Sequence, residues 1–336
     1  GDLPFRRSWR RRLLTNEEQQ SLARIAIFPQ SFNRISAKAI ADAGLPLLST
    51  LVDKSLLQRL ENGRYVLHPQ LRQFAFEHLE QSPSALYESR QRHARWFGEL
   101  LQQSLLGLSG VEQKEAVSII VQEVDHLRLG SRFVVETGQP LLIDHYVPGL
   151  FHLYNIRGWY LEGAMLFKGA IEQMIQHPEC HEIGSRSAVA LAALQIHYAE
   201  FLHRLSSFDE ARHYLDAAMP FVRAHQRSAE IGFALNALGY NWYMRGDYQA
   251  AQAPYQEALA IFRQTRHFAG IATVLNNLGN VFAAQDESGS YQGAQRCYEE
   301  SLQVARASGN QQEIARALLN LGTIAHVHHE YLNARF

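Results

Sequence analysis

The sequence predicts an all-α fold with two parts, a small helical domain interrupted by one β-hairpin and a long superhelix of helical hairpins. Two observations lead there. A pattern of Leu-Gly pairs and aromatics recurs about every 40 residues from residue 188 onward. Near Asn62-Gly63, the period of the apolar residues switches briefly from helical to strand-like.

The elements follow in order. Thr15-Asn16-Glu17-Glu18 forms a capping box that opens an amphipathic helix carrying Leu22, Ile25 and Ala26. A second helix around Ser36–Ala43 and a third around Pro46–Lys54 follow. Leu56–Leu60 and Arg64–His68 read as short strands around Asn62-Gly63, the strongest local hairpin signal. Gln70–Leu79 closes the group with Leu71, Phe74, Ala75 and Leu79 on one side. Three helices, a hairpin and a closing helix predict a winged-helix domain over residues 13–82. Residues 1–12 are expected to be a junction to a preceding domain, and residues 83–140 a helical linker.

Residues 141–336 read as a superhelix of about five helical hairpins. Leu238-Gly239, Leu278-Gly279 and Leu321-Gly322 are spaced by 40 and 43; Phe208, Tyr248, Tyr291 and Tyr331 by 40, 43 and 40. Ala211, Ala251, Ala294 and Ala334 keep this register, and the three extra residues fall in polar Asp286–Ser290, where an insertion costs little. Gly246-Asp247 breaks one helix before Tyr248–Phe262 begins the next. Gly239 and Ala251 stand where two helices cross, because a larger side chain would force the axes apart. Ser207 with Glu210 predicts a second capping box. The chain stops at Phe336, two residues after Ala334, inside an expected second helix, so a longer protein is expected.

Composition excludes several classes. The 336 residues carry 32 Lys+Arg against 33 Asp+Glu, so the net charge of −1 provides no field to hold a polyanion. Two cysteines, Cys180 and Cys297, cannot build a disulfide framework or a four-cysteine zinc site. No apolar run approaches the roughly 18 residues of a membrane span, and a cytoplasmic protein is expected. There is no phosphate loop, nucleophile elbow, Rossmann fingerprint or HExxH, so no enzyme is expected within these residues.

Leu238, Gly239, Trp242, Gly246, Asp247, Tyr248, Ala251, Tyr255 and Ala258 resemble the signature positions of the tetratricopeptide repeat. A weaker unit has Gly158, Tyr160, Gly163, Phe167 and Ala170 in the same places. At the front, Leu14–Gln19, Leu51–Leu57, Arg64–His68 and Leu71–Ala75 resemble the winged helix after the nucleotide-binding domain of STAND signalling ATPases. This is the NB-ARC-like bacterial group that includes multidomain transcription regulators. Glu123–Arg128, Glu136-Thr137-Gly138 and Arg157–Gly163 resemble its linker and first repeat. The resemblance implies an ATPase domain before residue 1, ADP or ATP as its ligand in the full-length protein, and oligomerisation on activation. It places His68 where a histidine touches the β-phosphate of ADP, although Pro69 stands where an aspartate is common. The alternative reading of His68 is a strand end that caps the next helix.

The candidate ligand surface is the concave wall made by the first helices of the repeats. It presents His197, Glu200 and Arg204, then Asn236, Tyr240 and Tyr243, then Asn276, Asn277 and Asn280, then Asn320 and Thr323. Asparagine both donates and accepts, so a ladder of them suits an extended peptide backbone; the alternative is local bonding between helices. A protein, peptide or small ligand there would control nucleotide exchange by the ATPase. Other readings are a scaffold without an ATPase, or a transcription factor using the winged helix on DNA. DNA contact is disfavoured because Pro46–Lys54 has a single base. His177-Pro178-Glu179-Cys180-His181 gathers possible zinc ligands without an evident fourth, and His326, His328 and His329 are similar, so no metal is expected.

Overall fold

A computed structural model describes residues 14–108, 113–226, 228–285 and 290–327. The expected junction at 1–12, the end of the last hairpin with Tyr331 and Ala334, and His328 and His329 lie outside the described residues. Within them the protein is mostly helical. Contacts divide it into two units: residues through Gln103 with Ile120–Tyr146, and Ser104–Ile119 with Val147 onward.

The first unit begins with helices α1 (Asn16–Ile25), α2 (Arg34–Ala41) and α3 (Leu45–Asp53), then strands β1 (Leu57–Arg59) and β2 (Tyr65–Leu67), then α4 (Pro69–Glu80). The Thr15 capping box forms as expected, with the Glu18 amide donating to Thr15 Oγ1 at 3.2 Å and the Thr15 amide to Glu18 Oε2 at 2.7 Å. Asn33 caps α2 by accepting from the Ile35 and Ser36 amides, which moves its start two residues ahead of the sequence reading. The hairpin is antiparallel, pairing Leu57 with Leu67 and Arg59 with Tyr65, and Gly63 at φ +77° supplies the left-handed turn residue. Phe32 adds a bridge to Tyr65 through two backbone hydrogen bonds of 2.8 and 2.9 Å.

Helices α5 (Pro83–Leu108), α6 (Gln113–Gln122), α7 (Val124–Glu136) and α8 (Pro140–Arg157) follow. The sequence reading separates residues 83–140 as a linker. In the structure, the parts of α5 to α7 that lie in the first unit pack against its front. Arg64, on the hairpin, pairs with Glu123 (Nη2 to Oε2, 3.0 Å) where both side chains are buried. His126 Nε2 meets the Ser31 carbonyl at 3.0 Å. Tyr146 fits between Gly98 and Gly130 and donates to the Ala94 carbonyl at 2.7 Å. Phe28 and Phe32 stack at 4.3 Å, and Phe97 lies on His126 at 4.5 Å.

The second unit is the repeat array. It contains α9 (Tyr160–Met174), a 3-10 turn at Pro178–His181, α10 (Arg186–Arg204), α11 (Phe208–Ala224), α12 (Ser228–Met244), α13 (Tyr248–Gln264), α14 (Phe268–Ala284), α15 (Ser290–Ser308) and α16 (Gln311–Val327). Helices α10/α11, α12/α13 and α14/α15 pack as hairpins, and each second helix packs on the next first helix. Between α12 and α13, Gly246 turns the chain at φ +80° and Asp247 caps the new helix by accepting from the Ala250 amide at 2.9 Å. Two hairpin crossings are set by glycines: a methyl at Gly239 would come within 2.7 Å of the buried Tyr255 ring, and Gly279 stands likewise against Tyr298.

One expected cap fails. Ser207 precedes α11 but its side chain makes no capping bond. Its intended partner Glu210 instead accepts from Tyr198 OH at 3.1 Å on the preceding helix. No single helix among the described residues is long and apolar enough to cross a membrane.

Candidate functional site

The first helices α10, α12, α14 and α16 also touch one another in succession, so their shared side forms a continuous inner wall. The second helices are tied by exposed ion pairs at repeat spacing, Arg223 to Glu257 at 2.9 Å and Arg263 to Glu300. Such pairs contribute little each.

Six of the eleven candidate groove residues are tied into the array's own hydrogen bonds: Asn276, Asn280, Asn320 and Thr323, and the pair Asn236 and Asn277. Asn276 is fully buried. Its amide donates to Ser301 Oγ at 2.8 Å and Glu313 Oε2 at 3.1 Å, while its carbonyl accepts from Asn320 at 3.3 Å. Ser301 passes the chain to the Ala272 carbonyl at 2.8 Å, and Thr273 holds the other Glu313 oxygen at 3.1 Å. Asn276 and Asn320 therefore fasten α14, α15 and α16 together, and Asn276 has no amide hydrogen left for a ligand. Asn280 accepts from Tyr298 OH at 2.7 Å, and Thr323 bonds back to the Leu319 carbonyl at 2.9 Å.

Asn277 donates to Asn236 at 2.8 Å, bridging α14 to α12, and both are half-buried. The second amide hydrogen pair, on Asn236, and the Asn277 carbonyl are not used in that bond. Tyr240 sits edge-on to His203 at 5.1 Å, and Tyr243 lies against both Tyr240 and Tyr248. Arg204, exposed, lies 5.7 Å over the Tyr160 ring. Glu200 is half-buried, and desolvation raises its carboxyl to about 7 against the pull of Arg204 and Arg316. Arg316 belongs to α16, so the array brings its last described helix into electrostatic reach of α10 across the inner side.

His197 is buried between Phe151, stacked at 4.5 Å, and Phe233 at 6.0 Å. Its Nδ1 has no hydrogen-bond partner, and burial with His152 nearby lowers its imidazole to about 3. It is neutral at any physiological pH. The aromatic row continues from Phe233 to His267 at 5.2 Å, whose Nδ1 caps α14 by accepting from the Gly270 amide.

Sequence reasoning missed Asn241, which is buried where the equivalent positions carry Val281 and Ile324. It donates to the Phe208 carbonyl at 2.7 Å and faces His203 Nε2 at 3.3 Å. A polar residue at a position that is apolar in the sister repeats was the available signal.

His68 stands exposed at the start of α4, with the Gln70 amide donating to its Nδ1 at 3.4 Å, which is the helix-capping arrangement. Lys54, which follows the last residue of α3, is held by Glu18 at 2.7 and 2.8 Å. Burial pushes the Glu18 carboxyl up, but Lys54 and Thr15 outweigh it and leave it lowered. In the Cys180 loop, burial raises the thiol to about 11 and His181 bonds the Ile175 carbonyl at 2.9 Å. No group of three metal-ligating side chains occurs among the described residues.

Comparison with known proteins agrees with the repeat geometry. Residues 190–264 match the tetratricopeptide-repeat family. These are α10 to α13, the stretch with the Gly239–Tyr255 crossing. The chain is also similar in fold to the signal-transduction ATPase with numerous domains (STAND) that carries a tetratricopeptide-repeat sensor, from Pyrococcus horikoshii. That likeness has 16% identity and a TM-score of 0.53, and covers 99% of this chain and 51% of that one. The chain thus spans about half the length of that relative. BtubC from P. vanneervenii aligns over 65% of this chain and 85% of its own at 17% identity and a TM-score of 0.47. No curated protein sequence matches.

Proposed function

We propose that this chain is the non-catalytic sensor and arm of a STAND-type switch ATPase, and that the inner wall of its tetratricopeptide repeats binds a peptide segment of a protein ligand. The observation that carries the binding role is the half-buried set Glu200, Asn236, Tyr240, Tyr243 and Asn277 on successive first helices, with Arg316 opposite. The set combines flat aromatic surface, amide groups with hydrogen-bonding capacity left over and charges of both signs, which suits an extended backbone with polar side chains. The array itself offers no catalytic constellation among the described residues, and binding is the ordinary work of such repeats.

The switch reading is supported by the likeness in fold to a STAND protein with a repeat sensor along nearly the whole chain. On this reading residues 13–82 of the first unit are the winged helix, the Phe32 bridge completing its wing, and the ATPase domain lies upstream in a cytoplasmic protein. His68, exposed on the wing, meets ADP in the resting state of that larger protein. Ligand in the groove favours a state in which this contact is lost and the protein oligomerises. Such coupling requires the ligand to bind the two states unequally.

Selection of a random peptide library on the immobilised chain tests the groove. Enriched peptides are expected to bind Tyr240→Ala and Glu200→Gln at least about tenfold more weakly than the unaltered protein. Equal affinity for all three proteins would place the binding elsewhere and end this assignment.

A further inference from the structure

The first unit contains a cavity of about 180 Å³ lined by residues of α5 and α7 and by Ile27, which follows α1. Its apolar wall is Ile27, Leu129 and Phe133. Half-buried Arg90, buried His93 and exposed Arg132 and Glu136 complete the lining, Arg90, Arg132 and Glu136 being its three charges. Among the described residues none of these three charges is held in an ion pair, although Arg132 and Glu136 stand one turn apart on α7. Their neighbours differ. Arg92, two residues from Arg90, is paired with Glu88 at 2.6 Å and Asp42 at 2.9 Å, and Arg24 shares the same two carboxylates.

His93 lines the cavity, and its hydrogen-bond partner His126 fixes which of its nitrogens donates. The Ser31 carbonyl can only accept, so His126 Nε2 carries a hydrogen; neutral His126 then offers Nδ1 as a lone pair, and His93 Nε2 donates to it at 3.2 Å. His93 is fully buried and neutral, since desolvation holds it well below the usual histidine value, so its remaining nitrogen is an acceptor. The cavity therefore has two guanidiniums for a carboxylate, a carboxylate and an imidazole lone pair for a donor, and a small hydrocarbon wall. Glu136 is also the last residue of α7, where the helix dipole disfavours a negative charge and a cation alongside relieves it.

We propose that this cavity is a receptor site for a free α-amino acid with an apolar side chain. The carboxylate lies on Arg90 and Arg132, whose planar forks match it. The ammonium lies toward Glu136 and His93, and the side chain lies on Ile27, Leu129 and Phe133. Cavities of about 150 Å³ hold a benzene-sized molecule, so a leucine or phenylalanine side chain is within range. The site is separate from the repeat groove and does not depend on it.

Titration calorimetry on the 336-residue chain with L-leucine and L-phenylalanine tests the proposal. Two comparison ligands divide the chemistry, 4-methylpentanoate lacking the ammonium and isoamylamine lacking the carboxylate. Leucine or phenylalanine is expected to bind, and both comparison ligands to bind at least about tenfold more weakly. Arg90→Gln and Arg132→Gln are expected to weaken the amino acid by about tenfold or more, with unchanged circular dichroism. Glu136→Gln should weaken the amino acid while leaving 4-methylpentanoate no weaker. Tyr240→Ala, in the groove, should leave amino-acid binding unchanged. Absence of binding by either amino acid up to about 10 mM overturns the proposal. So does equal affinity in both folded arginine variants, or equal affinity for 4-methylpentanoate.

Discussion

Single polar side chains decide how the repeats are held together. Asn276 and Asn277 are adjacent and chemically identical, yet one is fully buried in a bond network among three helices and the other bridges two helices on the inner wall. Their positions 100° apart on α14 account for the difference. Periodicity put both on first helices, but could not say that Ser301 and Glu313, 25 and 37 residues on, would claim one of them. Asn241 offers the clearest test at this scale. Its truncation in Asn241→Ala leaves the Phe208 carbonyl and His203 Nε2 without their donor in a buried place. Urea unfolding should show a loss of about 2 kcal/mol, and an unchanged midpoint would mean that water replaces the amide.

At the level of elements, the repeat hairpins were the most legible part of the chain. The same steric demand recurs at two successive crossings, a glycine under a buried ring, so spacing alone exposes Gly239 with Tyr255 and Gly279 with Tyr298. Gly239→Ala would put a methyl 2.7 Å from a ring that has no room to withdraw. A cost of about 1–3 kcal/mol is expected in thermal or urea unfolding, and a smaller residue in Gly239→Ala/Tyr255→Leu should show a non-additive recovery. Local signals were equally readable at Thr15-Glu18, where both capping partners belong to one turn. The Ser207–Glu210 box was misread because Tyr198, from another helix, offers Glu210 a bond that a four-residue pattern cannot reveal. The tie of residues 83–103 and 120–140 to the front of the first unit escaped for the same reason. Arg64 and Glu123 are 59 residues apart, and nothing in either local pattern announces the other.

Across the whole molecule, the buried histidines set the response to acid. Burial lowers His197 to about 3 and His203 to about 4, with Arg204 adding to the latter. Below the ordinary value near 6.5 the unfolded chain takes up protons that the folded chain refuses, so stability is present above that pH and falls as pH drops toward 4. Each of these two accounts for about 2 kcal/mol lost by pH 5. Glu200 acts the other way: its raised carboxyl binds a proton in the folded state first, so folding gains as pH falls from about 7. It is half-buried and single, and the histidines outweigh it. The urea midpoint is therefore expected to fall between pH 7 and pH 5, and a flat profile would contradict the buried, neutral assignment of both rings. The two units also differ in how far their bonds reach along the chain. In the array the joining bonds span about 45 residues or fewer, from neighbour to neighbour. In the first unit, Ser31 is joined to His126 and Gln30 to Asp125, each across 95 residues. Under a mechanical load applied at the chain ends, the array should come apart stepwise, one hairpin per event, in short even extensions. The first unit has bonds that join residues far apart in its sequence, and should yield in a single long one.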